Sequence, residues 1–139
     1  MMSKLIIKEL DEKVLLSLSK DKDVVQTLIN TKGKVVKDYA NKEMQELIKY
    51  LLKISRFIGI KEPPEIDILQ MLGQFIKDHW GFYTLKEIDS AIYLAITNNE
   101  LKHYNSLTPQ LLNELFTTYK KKRNKAVFLY RKECELLYD

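Results

Sequence analysis

This chain predicts an all-α fold: a compact bundle of about five to six helices with a long C-terminal helix. Three observations carry that expectation. Apolar residues recur at three- and four-residue steps from Lys34 to Leu137, the period of one helical face. Helix start signals stand at Pro63-Pro64, Thr84-x-x-Glu87 and Thr108-Pro109. Only 4 Gly and 3 Pro occur in 139 residues, too few for the turns of a many-stranded β-sandwich. A chain of this length suggests a single domain, 1–139, that buries roughly two-thirds of its unfolded surface.

Residues 1–33 give the weakest signal. Leu5-Ile6-Ile7, Val14-Leu15-Leu16 and Val24-Val25 with Leu28-Ile29 are short apolar clusters separated by Lys, Asp and Glu. Both strands and helix turns fit such clusters; two short helices near 8–18 and 21–30 are favoured, with Asp21 as N-cap of the second. Thr31-Lys32-Gly33 marks a break. From 34 to 59, Val36, Tyr39/Ala40, Glu43/Met44, Leu47, Leu51, Ile54 and Ile58 share one face, and Gly59 offers a left-handed cap. Pro63-Pro64 opens a helix over 63–80, with Glu65 and Asp67 at its positive end. Its buried side is expected to be Ile68, Leu69, Leu72, Phe75 and Ile76, and Gly81 ends it.

Thr84 and Glu87 form a capping box that begins a helix over 84–98, with Leu85, Ile88, Ala91/Ile92 and Ala95 on one face and Asn98-Asn99 as the stop. Thr108-Pro109 begins the last helix, 108–137. Its stripe of Leu112, Phe116, Tyr119, Ala126, Tyr130, Cys134 and Leu137 is broken only by Arg123. Such a helix exceeds the ~11–12 residue mean, so part of it is expected to project toward a partner.

Composition narrows the class. A net charge of +4 and a pI near 9.0 permit contact with nucleic acid or acidic proteins without demanding it. The lone Cys134, on an apolar stripe, reads as a small hydrophobe. No signal-peptide pattern precedes the fold, and the longest apolar run, Ala91 to Ile96, falls far short of the roughly 20 residues of a membrane span. The expected setting is the reducing cytoplasm, with no membrane partner.

No enzyme, metal or cofactor is expected. His79 and His103 lie outside any metal-ligand pattern, and the scattered glycines cannot supply a phosphate loop. Asp78-His79-Trp80 places neighbours on different faces of a helix, so it reads as a polar helix end with an aromatic closing the core. Asp11-Glu12 and Glu133/Glu135 read as solvated surface.

The strongest candidate contact site is the basic cluster Lys120, Lys121, Lys122, Arg123 and Lys125. Phosphates neutralised by such cations release condensed counterions, which gives salt-sensitive attraction. The lysines fan round the helix, so two or three can face one nucleic-acid backbone. Tyr119 and Tyr130 flank the cluster and could stack on bases, though their spacing favours the core. Arg123, on the apolar stripe, either snorkels, pairs with an acid such as Asp89 or Glu114, or presents its guanidinium to a partner. His103 and Tyr104, between two start signals, are candidates for a recognition loop.

Pro63-Pro64-Glu65, Tyr83 to Ala91, Leu101 to Pro109 and Tyr119 to Arg123 together resemble small uncharacterised proteins encoded by phages and prophages of anaerobic gut bacteria, over roughly residues 57–126. The layout is also similar to helical domains of phage replication proteins that load the replicative helicase. Those carry a helix of the Glu-Ile-x-x-Ala type, here from Glu87 to Ala91, then a loop, then a Thr-Pro-x-x-Leu helix, here from Thr108 to Leu112. The resemblance implies a phage-type accessory protein in DNA replication or a related process. It would bind a protein partner, such as a replicative helicase or another host protein, and DNA is a possible second ligand. The alternative is a purely protein-directed module: a virion component, an inhibitor of a host enzyme or a homo-oligomeric scaffold.

Overall fold

A computed structural model of the chain describes residues 9–60, 62, 64–98 and 106–138. Among the described residues it contains six α-helices, one 3-10 turn and no strand. The helices are α1 (Glu12–Ser17), α2 (Lys22–Asn30), α3 (Asn41–Phe57), α4 (Ile66–Trp80), α5 (Leu85–Thr97) and α6 (Pro109–Tyr138).

Helix α1 starts later than the expected residue 8 because Asp11 caps it, accepting from the N–H groups of Lys13 at 2.8 Å and Val14 at 3.3 Å. Leu5-Ile6-Ile7 lies outside the described residues. Asp21 caps α2 as expected, accepting from Val24 N–H at 3.2 Å.

The third helix begins at Asn41, seven residues after the expected start at 34. Val36–Asp38 forms the 3-10 turn, and Val35 makes an antiparallel bridge to Thr84. The N–H groups of Val36 and Lys37 donate to the carbonyls of Tyr83 at 2.9 Å and Gly81 at 2.8 Å. Those donors are therefore committed to a distant segment and cannot continue a helix. The helix restarts where the Glu43 carboxylate accepts from Ala40 N–H at 2.7 Å, while its other oxygen pairs with Lys34 at 2.7 Å. Gly59, at φ 87°, follows the end of α3 in the left-handed conformation expected of it.

Helix α4 turns a slightly different face inward than predicted. Leu69, Leu72, Gly73 and Ile76 are buried, Phe75 only partly so, and Ile68 is exposed. Pro63 lies outside the described residues. Gly81 caps α4 and is needed for close approach: a Cβ there would collide with the Lys77 carbonyl and stand 2.9 Å from Lys37 Cβ.

Thr84 and Glu87 form the expected capping box of α5, with Glu87 N–H donating to Thr84 Oγ1 at 3.1 Å and Thr84 N–H to Glu87 Oε1 at 3.2 Å. Thr108 Oγ1 accepts from Leu111 N–H at 3.2 Å, and α6 then runs unbroken for 30 residues, about 45 Å.

Two apolar clusters hang on α6. The larger is formed by α3, α4, α5, Val36 and the α6 residues Leu111 to Tyr119. Aromatic rings close it at one end: Trp80 lies 5.4 Å from Phe116, and Tyr83 meets Tyr119 edge-on at 5.3 Å. The smaller cluster sets Leu10, Val14, Val24 and Leu28 on Ala126, Val127 and Tyr130, with half-buried Cys134 beside it. Helix α6 therefore docks on its own chain from Leu111 to Tyr130. Its last turn, Leu136 to Tyr138, is exposed apart from a bond of 2.6 Å from Tyr138 Oη to Asp11. Asp11 is thus an anchor, where the sequence suggested solvated surface. No described helix is long and apolar enough to cross a membrane.

Candidate nucleic-acid and partner interface

The basic cluster of α6 splits according to helical position. Residues 119, 123, 126, 127 and 130 face inward, so the cations between them point to different sides. Lys120, Lys121 and Lys125 are exposed. Lys122 turns toward α2 and pairs with Asp23 at 2.9 Å, its side chain 28% exposed.

Arg123 is withdrawn from the surface. It is 6% exposed, and its Nε donates to Glu87 Oε2 at 2.7 Å. The same oxygen accepts from Tyr119 Oη at 3.0 Å, and the Arg123 guanidinium lies 5.9 Å from the centre of the Tyr83 ring. Glu87, fully buried, thus serves α5 with one oxygen and α6 with the other. Burial pushes its carboxyl above the ordinary range, while the Arg123 charge and hydrogen bond, the Thr84 N–H and the Tyr119 hydroxyl pull the opposite way. Of the alternatives open for Arg123, an internal ion pair holds, with Glu87 as a partner. Two charges each interrupt an inward stripe, Glu87 on α5 and Arg123 on α6, and that shared anomaly is the signal from which the pairing could have been read.

Tyr119 and Tyr130 are also internal. The Tyr130 hydroxyl accepts from Asp11 N–H at 2.7 Å, and burial pushes the Tyr119 hydroxyl well above the ordinary phenol range. Neither ring is available to stack on a base. His103 and Tyr104 lie outside the described residues.

What remains outward is a stripe that the sequence reading cut short. Lys121, Lys125, Phe128 and Lys132 stand at i, i+4, i+7 and i+11, which keeps them on one face over about 16 Å. Phe128 is 60% exposed, and Lys132 Nζ lies over its ring at 5.5 Å. Phe128 and Lys132 belong to the surface by the same spacing that puts Arg123 inside. A flat ring among lysines offers both a stacking face and charges for a phosphate backbone.

At the end of α4, Asp78 accepts from Gln74 Nε2 at 2.8 Å, and His79 lies against Phe75 with ring centres 4.8 Å apart. Trp80 donates from Nε1 to Asn113 Oδ1 at 2.9 Å. The three residues therefore point to three different neighbours. Among the described residues, no group of three or more His, Cys, Asp or Glu is placed to hold a metal ion. Compared with protein-family models, curated proteins and solved structures, the chain finds no match.

Proposed function

We propose that this protein is a non-enzymatic accessory module that binds nucleic acid along the outer face of α6, as an adaptor of phage type in DNA replication or a related process. The observation that carries this reading is the outward stripe Lys121, Lys125, Phe128 and Lys132, with Lys120 beside it. Lysines on a solvated helix attract phosphate without reading sequence, and an exposed ring among them favours unpaired bases over duplex.

Fluorescence anisotropy with labelled single- and double-stranded DNA at two salt concentrations tests it. Three to four neutralised phosphates give a slope of log affinity against log salt of about −2 to −3 for single strands. Lys121→Glu with Lys125→Glu flattens that slope, and Phe128→Ala weakens the single strand more than the duplex. Absence of salt-dependent binding at micromolar protein removes DNA from the reading.

A second reading, a purely protein-directed module, has its own support in the exposed Leu136, Leu137 and Tyr138 at the end of α6. Light scattering on the eluting protein separates a self-associating scaffold from a monomer.

A further inference from the structure

A groove runs along the seam between two helix pairs. Helix α3 packs on α4 and α5 packs on α6, and between α3 and α5 the pairs part. The gap has a volume of about 490 Å³, within the range of ligand and peptide sites. Ile54 and Ile92, both part of the main core, form its floor. Phe57 at the end of α3 and Tyr93 on α5 stand as its walls, 73% and 68% exposed. Large aromatic side chains left bare beside an apolar floor are unusual on a self-contained surface.

The charges around this groove have one sign to spare. Lys49, Lys53 and Arg56 stand at i, i+4 and i+7 along α3, all exposed, and Lys53 and Arg56 line the groove itself. None of the three is in an ion pair among the described residues. Among the described residues, the one acid lining the groove is Asp89, which accepts from the Tyr50 hydroxyl at 2.7 Å. That bond ties α3 to α5 and divides this groove from a second one lined by Gln26, Asn30 and Lys86.

We infer that the α3–α5 groove is a docking site for an acidic amphipathic helix of a partner protein. Its apolar face would lie on Ile54 and Ile92 between Phe57 and Tyr93, and its carboxylates would meet Lys53 and Arg56. An apolar trough with aromatic walls accepts the i, i+3, i+4, i+7 anchors of such a helix. The unpaired cations on one bank fix both its sign and its register. The groove uses no residue of the α6 stripe, so the inference stands independently of nucleic-acid binding.

The probe is a fluorescein-labelled synthetic helix of about 18 residues, about 27 Å long. It carries leucines on one face and glutamates beside them, and a twin carries lysines in place of the glutamates. Titrated with the full chain, the acidic peptide is expected to bind with micromolar affinity, at least about tenfold tighter than its twin. Phe57→Ala and Tyr93→Ala, both at exposed positions, weaken it about tenfold while helical content and DNA binding are unchanged. Lys53→Glu with Arg56→Glu reverses the preference toward the basic peptide. Equal binding of the two peptides, or acidic-peptide binding indifferent to Phe57 and Tyr93, overturns the inference. So does a dimer dispersed by Tyr93→Ala, which would show a second copy of this chain in the groove.

Discussion

Replacing Arg123 with methionine isolates the buried charge pair from the packing around it. Methionine keeps an apolar stem of similar length, so the inner stripe of α6 stays filled, but the guanidinium that faces Glu87 at 2.7 Å is gone. Glu87 is fully buried and keeps the Tyr119 hydroxyl and Thr84 N–H as donors, with no counter-charge. Removing one member of a buried pair costs about 3–5 kcal/mol, chiefly the cost of the carboxylate left behind. At about 2–4 °C per kcal/mol for a domain near this size, the midpoint of thermal unfolding falls by roughly 6–20 °C.

The loss depends on pH in a fixed direction. Burial already pushes the Glu87 carboxyl up, and removing Arg123 takes away the largest opposing influence. In the variant, the folded state therefore holds a proton more readily than the unfolded chain does. Its stability relative to the parent is greatest below the ordinary glutamate range and declines as pH rises through the raised value. Circular dichroism with urea at several pH values between acid and neutral measures both effects. Glu87→Gln with Arg123→Met removes both charges and should be less destabilised than Arg123→Met alone at neutral pH. A loss below about 1 kcal/mol, or one that does not change with pH, would refute the reasoning, since that is the size of an exposed pair.

Two further outcomes follow from local geometry. Gly81→Ala, forced against the Lys77 carbonyl and the Lys37 side chain, should cost about 1–3 kcal/mol in urea unfolding, and neutral behaviour would mean that the 36–38 turn yields easily. Asp11 is held below its ordinary value, first by the Tyr138 hydroxyl and then by the N–H groups of Lys13 and Val14. The α1 cap is therefore complete above the ordinary aspartate value and lost as pH falls through the depressed one. The amide signals of Lys13 and Val14 should report that midpoint in NMR spectra, and Tyr138→Phe should raise it.

Much of the fold was legible because its punctuation is local. Asp21, Gly59, Thr84 with Glu87, and Thr108-Pro109 act within one turn of themselves, and the helices begin or end beside them. The false start at Lys34 has the opposite origin. Val36 fits the apolar period of α3, yet its N–H is taken by Tyr83, a residue far along the chain, and no local pattern announces that bond. Ile68 failed for a geometric reason: it lies at the edge of an inner face centred on Leu69, Leu72 and Ile76. The site was legible in part. The run of cations pointed to α6, but which of them reach solvent depends on the packing of α6 against α2 and α5. That packing took Lys122 to Asp23 and Arg123 to Glu87, and it left Phe128 and Lys132 beyond the run that had drawn attention.

Because one unbroken rod threads both apolar clusters, α6 is a splint between parts of very different size. The α1–α2 lobe grips it through a handful of side chains, with Tyr130 and Tyr138 fastened to Asp11 and with Lys122 on Asp23. That lobe is expected to open before the larger cluster, which holds the front half of the rod with many more buried side chains. Limited proteolysis should then nick the segment around Lys20 first among the described residues, and the lysine stripe would survive the cut on a still-folded support.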